Sequence, residues 1–463
     1  MQAGRTRSAR RPGRRAAAAL ATAAVLGLVS GCTQDSGAAT TTASSSTASS
    51  ASVTVSSSAA SSAPASSPAV ASSGTSPSSA TTPSSTPASS STPASSAGTP
   101  PSQGPDRAAR LDQALAELVA MPGGPPGAIA VVQVGDRRTV HTAGYADVAK
   151  KTRPTADDSM RIASVAKAFS GATALALVQA GKLSLDSTLG RVLPQQPKAW
   201  SAVTLRQLLS HTSGVPDFLG SPKFAELYQR DPDHPAKPAA LIATIADQPL
   251  AFPAGTRYAY SNSDNILVGL MIERVTGQPY AQALSTWVLR PLGLAHTSLP
   301  SAIELPAPYI HGYDWAPPAP LEDVTGGLAP GWAWASGGVV STPADLTTFV
   351  RAYVGGKLFG SKVRAAQQDL FIPAGESGPP GPGFNSASMA LFRYQTECGT
   401  VYGHTGNTVG YTQFIAASPD GTRSATVSIN LQRTDKSQDQ DAAVFTGLQR
   451  AELAAVCMAL DGA

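Results

Sequence analysis

Three short motifs hold the side chains with the clearest chemical potential. The first is Ser164-Val165-Ala166-Lys167, and among the ten lysines of the 463-residue chain only Lys167 has a serine three residues before it. Residues three apart share one face of a helix, so the hydroxyl and the amine can meet. A serine becomes a nucleophile when a nearby base takes its proton, and a lysine serves when its surroundings lower its pKa. By itself the motif also fits a helix cap beside a surface lysine.

The second motif, Tyr260-Ser261-Asn262, is the sole Tyr-x-Asn of the chain and follows Ser164 by 96 residues. Its phenol can relay the serine proton, and its amide can bind a substrate carbonyl. The third, His404-Thr405-Gly406, follows Asn262 by 142 residues and suits a strand along which a peptide-like substrate lies. A capped loop and a core histidine are the structural alternatives. Each motif is weak alone, but three such motifs, each unique in the chain, are jointly a strong signal.

Histidine spacing and charge exclude other classes. The six histidines do not pair at ligand spacing, and neither His-Glu-x-x-His nor Cys-x-x-Cys occurs, so we expect no metal and no cofactor. The formal net charge is +4, but six arginines fall within residues 1–31, and the remainder has 28 basic and 30 acidic residues. The basic balance therefore belongs to the leader and does not indicate a nucleic-acid partner.

The elements that position these motifs follow from hydrophobic periodicity. A helix is predicted over 164–179, ended by Gly181, and a second aliphatic helix over 266–275 follows the tyrosine motif. Further predicted helices lie near 106–121 and 439–460, and β-like runs at 128–134, 138–145, 389–393, 411–417 and 424–430. We expect an α/β (α+β) fold: an antiparallel sheet built from both chain ends, with a mainly helical region inserted between about 155 and 390.

The first hundred residues read as export and tethering segments. An arginine-rich start and an apolar run end in Val29-Ser30-Gly31-Cys32, which is typical of a bacterial lipoprotein signal. We therefore predict a signal peptide over 1–31, lipidation of Cys32, a disordered Ser/Thr/Ala/Pro-rich tether over 32–104 and a catalytic domain over 105–463. The alternative is an ordinary secreted protein with a stray thiol.

The chain has three cysteines. Lipidation of Cys32 leaves Cys398 and Cys457, an even number in an oxidising compartment. A disulfide between them closes a loop worth roughly 4 kcal/mol in the chain-entropy model. Two buried free thiols are the alternative.

Taken together, the motifs resemble those of the penicillin-recognising serine hydrolases, with their Ser-x-x-Lys, Tyr-x-Asn and Lys/His-Thr-Gly elements. The resemblance covers about 110–460 and is nearest to the class C β-lactamase branch and its secreted D-alanyl-D-alanine carboxypeptidases. Further similar stretches are Gly181-Lys182-Leu183-Ser184-Leu185-Asp186, Leu208-Leu209-Ser210-His211-Thr212-Ser213-Gly214, Ser336-Gly337-Gly338 and the core of Cys398 to Gly410. The resemblance implies a serine β-lactamase-like fold.

The resemblance also implies catalytic roles. Ser164 would be the acylated nucleophile, and Lys167 and Tyr260 would share general-base and general-acid work, with the resting base left open. Asn262 would bind the substrate amide.

Other positions would shape the substrate site. His404, Thr405 and Gly406 would position the substrate. The backbone amides of Ser164 and Asn407 would form the oxyanion hole, each such donor being worth about 3 kcal/mol of barrier. Trp332 would line the pocket. Because relatives often carry lysine in the place of His404, we expect a protonated His404 to assist acylation. Deprotonation of the general base would raise the rate with pH and loss of the His404 charge would lower it, so we expect a bell-shaped pH profile.

Two positions fit the family pattern less simply. An arginine on the strand before the histidine motif often holds the substrate carboxylate, and Arg393 is the candidate here. Within Leu391-Phe392-Arg393-Tyr394 it falls one residue out of phase, which points it to the other face of a strand unless a loop gap restores it.

Ser263-Asp264-Asn265 mimics a class A β-lactamase element, but the matching Glu-x-x-Leu-Asn is absent, so we interpret it as coincidence.

These inferences predict a serine D-alanyl-D-alanine carboxypeptidase that acts on peptidoglycan stem peptides and binds penicillin. A β-lactamase or esterase of the same fold and a non-catalytic β-lactam- or peptide-binding module are the alternatives. The expected partners are a peptidoglycan peptide or β-lactam, and the membrane through the lipid at Cys32. The expected location is the outer face of the bacterial cytoplasmic membrane, with release to the medium as the alternative.

Overall fold

Both ends of the described chain contribute to one antiparallel sheet. The computed structural model describes residues 104–315, 320–375, 377–381, 385–432 and 439–461. The predicted signal peptide, Cys32 and the tether up to residue 103 lie outside the described residues. The strands are β1 Gly127–Val134, β2 Arg137–Gly144, β3 Met160–Arg161, β4 Tyr313–Asp314, β5 Glu322–Asp323, β6 Val340–Ser341, β7 Ile372–Pro373, β8 Ser386–Ser388, β9 Leu391–Thr396, β10 Gly399–Thr408, β11 Tyr411–Ala417 and β12 Arg423–Ile429.

The main sheet has eight strands in the order β2-β1-β12-β11-β10-β9-β8-β7. Every neighbouring pair in it is antiparallel. The predicted fold class is thus confirmed, because the first strand of the domain pairs with the last, Ala128 opposite Ile429. Two short pairs, β3 with β6 and β4 with β5, lie outside this sheet.

The helices cover both faces of the sheet. They are α1 Gly104–Ala120, α2 Ala166–Gln179, α3 Leu189–Val192, α4 Leu205–Leu209, α5 Pro222–Arg230, α6 Pro238–Ala243, α7 Asn262–Thr276, α8 Tyr280–Leu284, α9 Arg290–Leu292, α10 Trp334–Gly337, α11 Pro343–Val354, α12 Ser361–Gln367 and α13 Asp439–Asp461. Strand β1 is apolar almost throughout because both of its faces are buried. Its Ala128, Ala130 and Val132 pack with α1 and α13, whereas Ile129 and Val131 pack with α2 and the inserted helical region. We call this second face the nucleophile side.

Helix α13 is a core helix of this domain. Within it, Ala442–Asp461 is long and apolar enough to cross a membrane by length and composition alone, but 61% of that stretch is buried inside the structure. Val444, Leu448 and Val456 belong to the apolar cluster between α13, α1 and the sheet. Its apolar composition therefore reflects packing on the sheet.

A disulfide joins Cys398 to Cys457, with 5.2 Å between the two Cα atoms. It excludes the alternative of two free thiols. The bond ties α13 to the β9–β10 hairpin, the one that carries the histidine motif. Glu397 is adjacent, and these three residues form the one cluster of potential metal ligands within the described ranges. Its two sulfur atoms are bonded to each other, so no thiolate is left for a cation.

The predicted strand over 389–393 begins later than expected. Met389 and Ala390 form a turn, with Ala390 at φ 51°, and β9 starts at Leu391. The turn packs against α4 and α2: the Ala390 N–H donates to the carbonyl of Leu209 in α4 at 2.7 Å, and a Cβ atom on Gly171 of α2 would collide with Ala390. Tertiary contact with α2 and α4 therefore sets the start of this strand.

One buried carboxyl predicts a pH-dependent stability. Glu452 of α13 is 2% exposed, its Oε2 has no hydrogen-bond partner among the described residues, and burial raises its pKa to about 8. The folded state therefore keeps a proton that the unfolded state loses near pH 4.5, so stability falls as the pH rises from there through 8. We expect Glu452→Gln to be more stable than the wild type at pH 9, by roughly 5 kcal/mol, and to show a weaker decline from pH 5 to 9 in urea unfolding.

The exposed Glu117 of α1 supplies the control. Glu117→Gln should decline with pH as the wild type does. If the unfolding free energy of Glu452→Gln followed the wild-type pH dependence, the Glu452 carboxyl would not be the source of the decline in stability.

Candidate active site

Ser164 lies on a tight turn rather than in the first turn of an α-helix. The segment Ala163–Val165 is a 3-10 helix, and α2 begins at Ala166. Ala163 has φ 49°, a left-handed conformation that costs an alanine about 1 kcal/mol. Ala163 and Val165 are buried whereas Ser164 is partly exposed. The strained turn thus presents the Ser164 hydroxyl at the surface of an otherwise buried segment.

Lys167 is fully buried and joins three parts of the chain. Its side chain is 0% exposed, and its Nζ donates to the Ser164 Oγ at 3.1 Å, the Asn262 Oδ1 at 2.7 Å and the Ser336 carbonyl at 2.8 Å. The same Nζ lies 4.8 Å from the centroid of the Tyr260 ring. The structure therefore brings the predicted Ser164, Lys167, Tyr260 and Asn262 together.

Asp217 fixes the orientation of Asn262. The Asn262 Nδ2 and backbone N–H donate to the Asp217 Oδ2 at 2.8 and 3.1 Å. With its amide nitrogen bound there, the side chain turns its oxygen to Lys167. Sequence reasoning missed Asp217, whose local signal is only that of a cap: its Oδ1 accepts the Leu219 N–H at 3.1 Å. It also missed the Ser336 carbonyl, a backbone group that no residue pattern reveals.

The histidine motif lies within β10, beside the nucleophile turn. A Cβ atom on Gly406 would collide with the Ile162 carbonyl and lie 3.0 and 3.1 Å from the Val165 and Ser164 backbone nitrogens. Glycine is therefore required for β10 to approach this turn. Thr405 pairs with Phe414 of β11.

A cleft opens beside Ser164. The predicted Trp332, Asn262 and Asn407 line it, while His404, Thr405 and Gly406 are not among its lining residues. The Trp332 Nε1–H donates to the Pro232 carbonyl at 2.8 Å. Every side chain of this lining is uncharged: Ala163, Ser164, Phe218, Leu219, Phe224, Asn262, Leu328, Trp332, Ala333, Ser336, Gly337, Asn407 and Thr408.

The expectation that His404 titrates as a cation near neutral pH is wrong. His404 is 2% exposed, and its Nδ1–H donates to the Thr405 carbonyl at 2.6 Å. Its ring meets the Phe392 ring edge-on at 4.9 Å. Burial lowers the pKa of His404 to about 3, against the hydrogen bond to Thr405, which raises it, and with further lowering from Lys167 and His211. The imidazole is therefore neutral at physiological pH, and another group must cause any pH dependence of acylation between pH 5 and 10.

The expected phase of Arg393 is also wrong. Its neighbours Phe392 and Tyr394 pack in the cluster with α13, so alternation along β9 points Arg393 to the nucleophile side. It pairs with Tyr402 of β10. The guanidinium lies 4.5 Å from the centroid of the Phe371 ring, and Nε donates to the Ser386 Oγ at 3.2 Å. Within the described part of the chain, Arg393 has no carboxylate in ion-pair distance.

Ser263-Asp264-Asn265 lies in the first turn of α7, and all three side chains are buried. The Ser263 Oγ accepts the Phe218 N–H at 2.9 Å, and the Asn265 Nδ2 donates to the Ser170 Oγ at 2.8 Å. None of the three lines the cleft. These contacts agree with the interpretation that the motif is not a substrate-binding element.

The chain is similar in sequence to several known proteins. Protein flp of Staphylococcus aureus (strain COL) is 32% identical over 160 residues, 34% of this chain and 31% of the relative. Penicillin-binding protein 4* of Bacillus subtilis (strain 168) is 26% identical over 309 residues, 62% of this chain and 64% of the relative. The matches thus span less than two thirds of each relative.

Solved structures are similar over nearly their full length. A D-stereospecific amidohydrolase from Streptomyces sp. has 29% identity and a TM-score of 0.62, covering 73% of this chain and 98% of that one. A D-amino acid amidase from Ochrobactrum anthropi SV3, complexed with L-phenylalanine amide, has 26% identity and a TM-score of 0.66, covering 76% and 98%. A family model described as Beta-lactamase matches residues 111–446, well over half of the chain. With the sheet and the serine–lysine site described above, this match shows that the chain belongs to the Beta-lactamase family of penicillin-recognising serine hydrolases.

Proposed function

We propose that the protein is a serine acyl-transfer hydrolase that removes the terminal D-alanine from D-alanyl-D-alanine peptides of peptidoglycan. The observation that carries the proposal is the buried Lys167 Nζ, 3.1 Å from the Ser164 Oγ. A neutral amine has two N–H bonds and one lone pair. When Lys167 is in this neutral form, with the Asn262 Oδ1 and the Ser336 carbonyl as acceptors of its N–H bonds, its lone pair accepts the Ser164 O–H in place of the N–H bond that the ammonium donates there.

The reaction then proceeds by acylation and hydrolysis. Lys167 takes the Ser164 proton while Oγ attacks the penultimate D-Ala carbonyl, and the backbone N–H groups of Ser164 and Asn407 bind the oxyanion. The C–N bond breaks as the leaving D-alanine amine receives the proton. Water then attacks the acyl-enzyme, giving its proton to the same base, and Ser164 is released. Tyr260, whose ring lies beside the Lys167 Nζ, is the second group for these proton transfers.

Arg393 supports a substrate that ends in a carboxylate. Its pairing partner Tyr402 precedes Gly406 by four residues, about 13 Å along a strand. The carboxylate of the leaving D-alanine lies only about one residue, roughly 3.5 Å along a strand, beyond the scissile bond, so the long Arg393 side chain must span most of this separation to reach it. The aromatic ring beneath Arg393 and the Ser386 hydroxyl hold the cation without neutralising it.

A second candidate is a D-amino acid amidase. The cleft beside Ser164 is uncharged and partly aromatic, with Phe218, Phe224 and Trp332 in its lining, which suits an apolar side chain without a terminal carboxylate. The two structural relatives are a D-stereospecific amidohydrolase and a D-amino acid amidase. A β-lactamase or esterase uses the same site, while a binding module has no need of the serine–lysine contact.

Substitution of Arg393 separates these candidates. We expect Arg393→Gln to raise KM for a diacyl-D-Ala-D-Ala peptide by about 10- to 100-fold, the worth of a hydrogen bond to a charged group. The same peptide with a C-terminal amide, and D-phenylalanine amide, should change less than threefold. Arg290→Gln, at a surface arginine bound to Thr286, should match the wild type.

Turnover assays with the wild-type protein identify the substrate class directly. Turnover of the amides but not of the free peptide would identify an amidase, and rapid turnover of penicillin without a lasting adduct a β-lactamase. If Arg393→Gln raises KM equally for the free peptide and for its C-terminal amide, Arg393 does not bind the substrate carboxylate.

We also propose that the mature protein is tethered to the outer face of the cytoplasmic membrane by lipid on Cys32. Val29-Ser30-Gly31-Cys32 supports this proposal, since two or three acyl chains exceed the marginal anchoring of one. Cys32→Ala should move the protein from the membrane fraction to the medium. Retention of the variant in the membrane would contradict a lipid anchor.

A further inference from the structure

A second buried polar cluster lies behind the Tyr260-Ser261-Asn262 segment. It consists of Ser213, His211 and Asp264, which are 1%, 3% and 0% exposed. The His211 Nδ1 is 2.9 Å from the Asp264 Oδ2, and the Ser213 Oγ donates to the Asp264 Oδ1 at 2.5 Å. Neither His211 nor Asp264 touches Ser164 or lines the cleft, so the reaction described above leaves this pair without a role.

His211 contacts three consecutive residues of the tyrosine segment. Its carbonyl accepts the Ala259 N–H at 2.8 Å. Its ring lies 4.5 Å from the Tyr260 ring, centroid to centroid, and its Nδ1 faces the Ser261 N–H at 3.4 Å. His211 itself has φ 54°, a conformation that a histidine keeps only where its surroundings enforce it. The Asp264 carboxyl supplies part of that constraint.

Asp264 connects the same pair to Asn262. It lies two residues after Asn262 in the first turn of α7. Its bonds to His211 and Ser213 therefore anchor the helix turn whose first residue, Asn262, binds the Lys167 Nζ. Tyr260 and Asn262, which lie beside the Lys167 amine, are thus both held by the His211 and Asp264 side chains.

We propose that His211 and Asp264 are positioning residues that share a single proton and hold Tyr260 and Asn262 against Lys167. The Ser261 N–H points at the His211 Nδ1, and a nitrogen that faces a donor carries its lone pair. The proton between the Asp264 Oδ2 and this Nδ1 therefore belongs to the carboxyl. The Asp264 Oδ1 remains an acceptor for Ser213, so the hydrogen bonds of the cluster are mutually consistent.

The electrostatic surroundings agree with a neutral pair. Burial lowers the pKa of His211 to about 3, with a further lowering from Lys167 and a small rise from Asp217. Burial raises the pKa of Asp264 well above its usual range, against the Ser213 hydrogen bond, which lowers it; Asp217 raises it and Lys167 lowers it. Tyr258 and Tyr260 are the aromatic neighbours of His211.

The test uses His211→Ala, Asp264→Ala and Asp264→Asn, with acylation of Ser164 by a fluorescent penicillin and kcat and KM for the D-Ala-D-Ala peptide as readouts. We expect both alanine variants to lose 10- to 100-fold in acylation rate and kcat, as a displacement of about 1 Å does, with KM within threefold. Asparagine reproduces the protonated carboxyl, accepting from Ser213 and donating to His211. Asp264→Asn should therefore keep at least a third of the rate and the wild-type profile from pH 6 to 9. The double alanine variant should be no slower than either single one.

Asp345 provides the matched control. It is a buried carboxyl in the first turn of α11 that binds the Thr297 hydroxyl and the His296 N–H. Asp345→Ala should lower the melting temperature and leave the rate per folded molecule unchanged. An equal loss of rate in Asp345→Ala, or a wild-type rate in folded His211→Ala, would overturn the proposal. Loss of activity in Asp264→Asn equal to that in Asp264→Ala would overturn the single shared proton.

This inference rests on the proposed acyl-transfer function for its kinetic readout, so crystal structures of the wild type, Asp264→Asn and His211→Ala provide a second one. If the wild type is not acylated, the proposed function fails. The positioning role then stands when the Tyr260 ring or the Asn262 amide moves away from Lys167 in His211→Ala but not in Asp264→Asn. It fails when both stay in place in His211→Ala.

Discussion

Replacement of Ser164 by alanine is expected to abolish covalent labelling by penicillin and to lower kcat/KM for the peptide substrate by at least about 10⁴-fold, as removal of a catalytic serine does in other hydrolases. The physical reason is that the turn at Ala163–Val165 presents this hydroxyl to Lys167. Mass spectrometry of the intact protein and of its peptides measures the adduct and its position. Circular dichroism should show an unchanged fold, because Ser164 is partly exposed.

Ser170→Ala is the matched control on the same helix. Ser170 is buried, and its hydroxyl donates to the Lys167 carbonyl and accepts from Asn265, so its loss should lower stability modestly without preventing labelling. A penicillin adduct on Ser164→Ala, or on another serine of the wild type, would show that the nucleophile has been assigned to the wrong residue.

The second large effect is expected from Lys167. Lys167→Met keeps the length of the side chain but removes the amine, and we expect a loss of about 10³-fold in the acylation rate, within the usual contribution of a general base. Lys167→Arg should be comparably slow, because a guanidinium does not lose its proton in proteins. Stopped-flow acylation by a chromogenic β-lactam measures the rate directly.

The exposed Lys182 supplies the control for loss of a lysine. Lys182→Met should acylate at the wild-type rate. If Lys167→Met retained more than a tenth of that rate, the resting base would be another group, and Tyr260 would be the first to examine. A parallel Tyr260→Phe variant tests whether Tyr260 is that base, because it keeps the ring beside the Lys167 Nζ and removes only the phenolic hydroxyl.

The local patterns determined the nucleophile and the main sheet. The serine–lysine spacing works within one helical turn, and the β-like composition of β1, β11 and β12 is a property of short segments, so both are readable along the chain. The disulfide was one of two alternatives left by counting cysteines, and the choice needed the 5.2 Å between the two Cα atoms. The start of β9 was missed because packing of Ala390 against α2 sets it.

The chemistry of the site was decided largely by contacts between distant segments. His404 is neutral because burial removes its imidazole from water, and no pattern near residue 404 reports that burial. Arg393 faces the nucleophile side because β9 pairs with β10 in one particular register. Asp217 and His211 meet the tyrosine segment from about fifty residues away. The sequence by itself determined which groups can react. Only the tertiary structure decided their charge, orientation and supporting partners, since desolvation and hydrogen bonding depend on what the fold packs around each group.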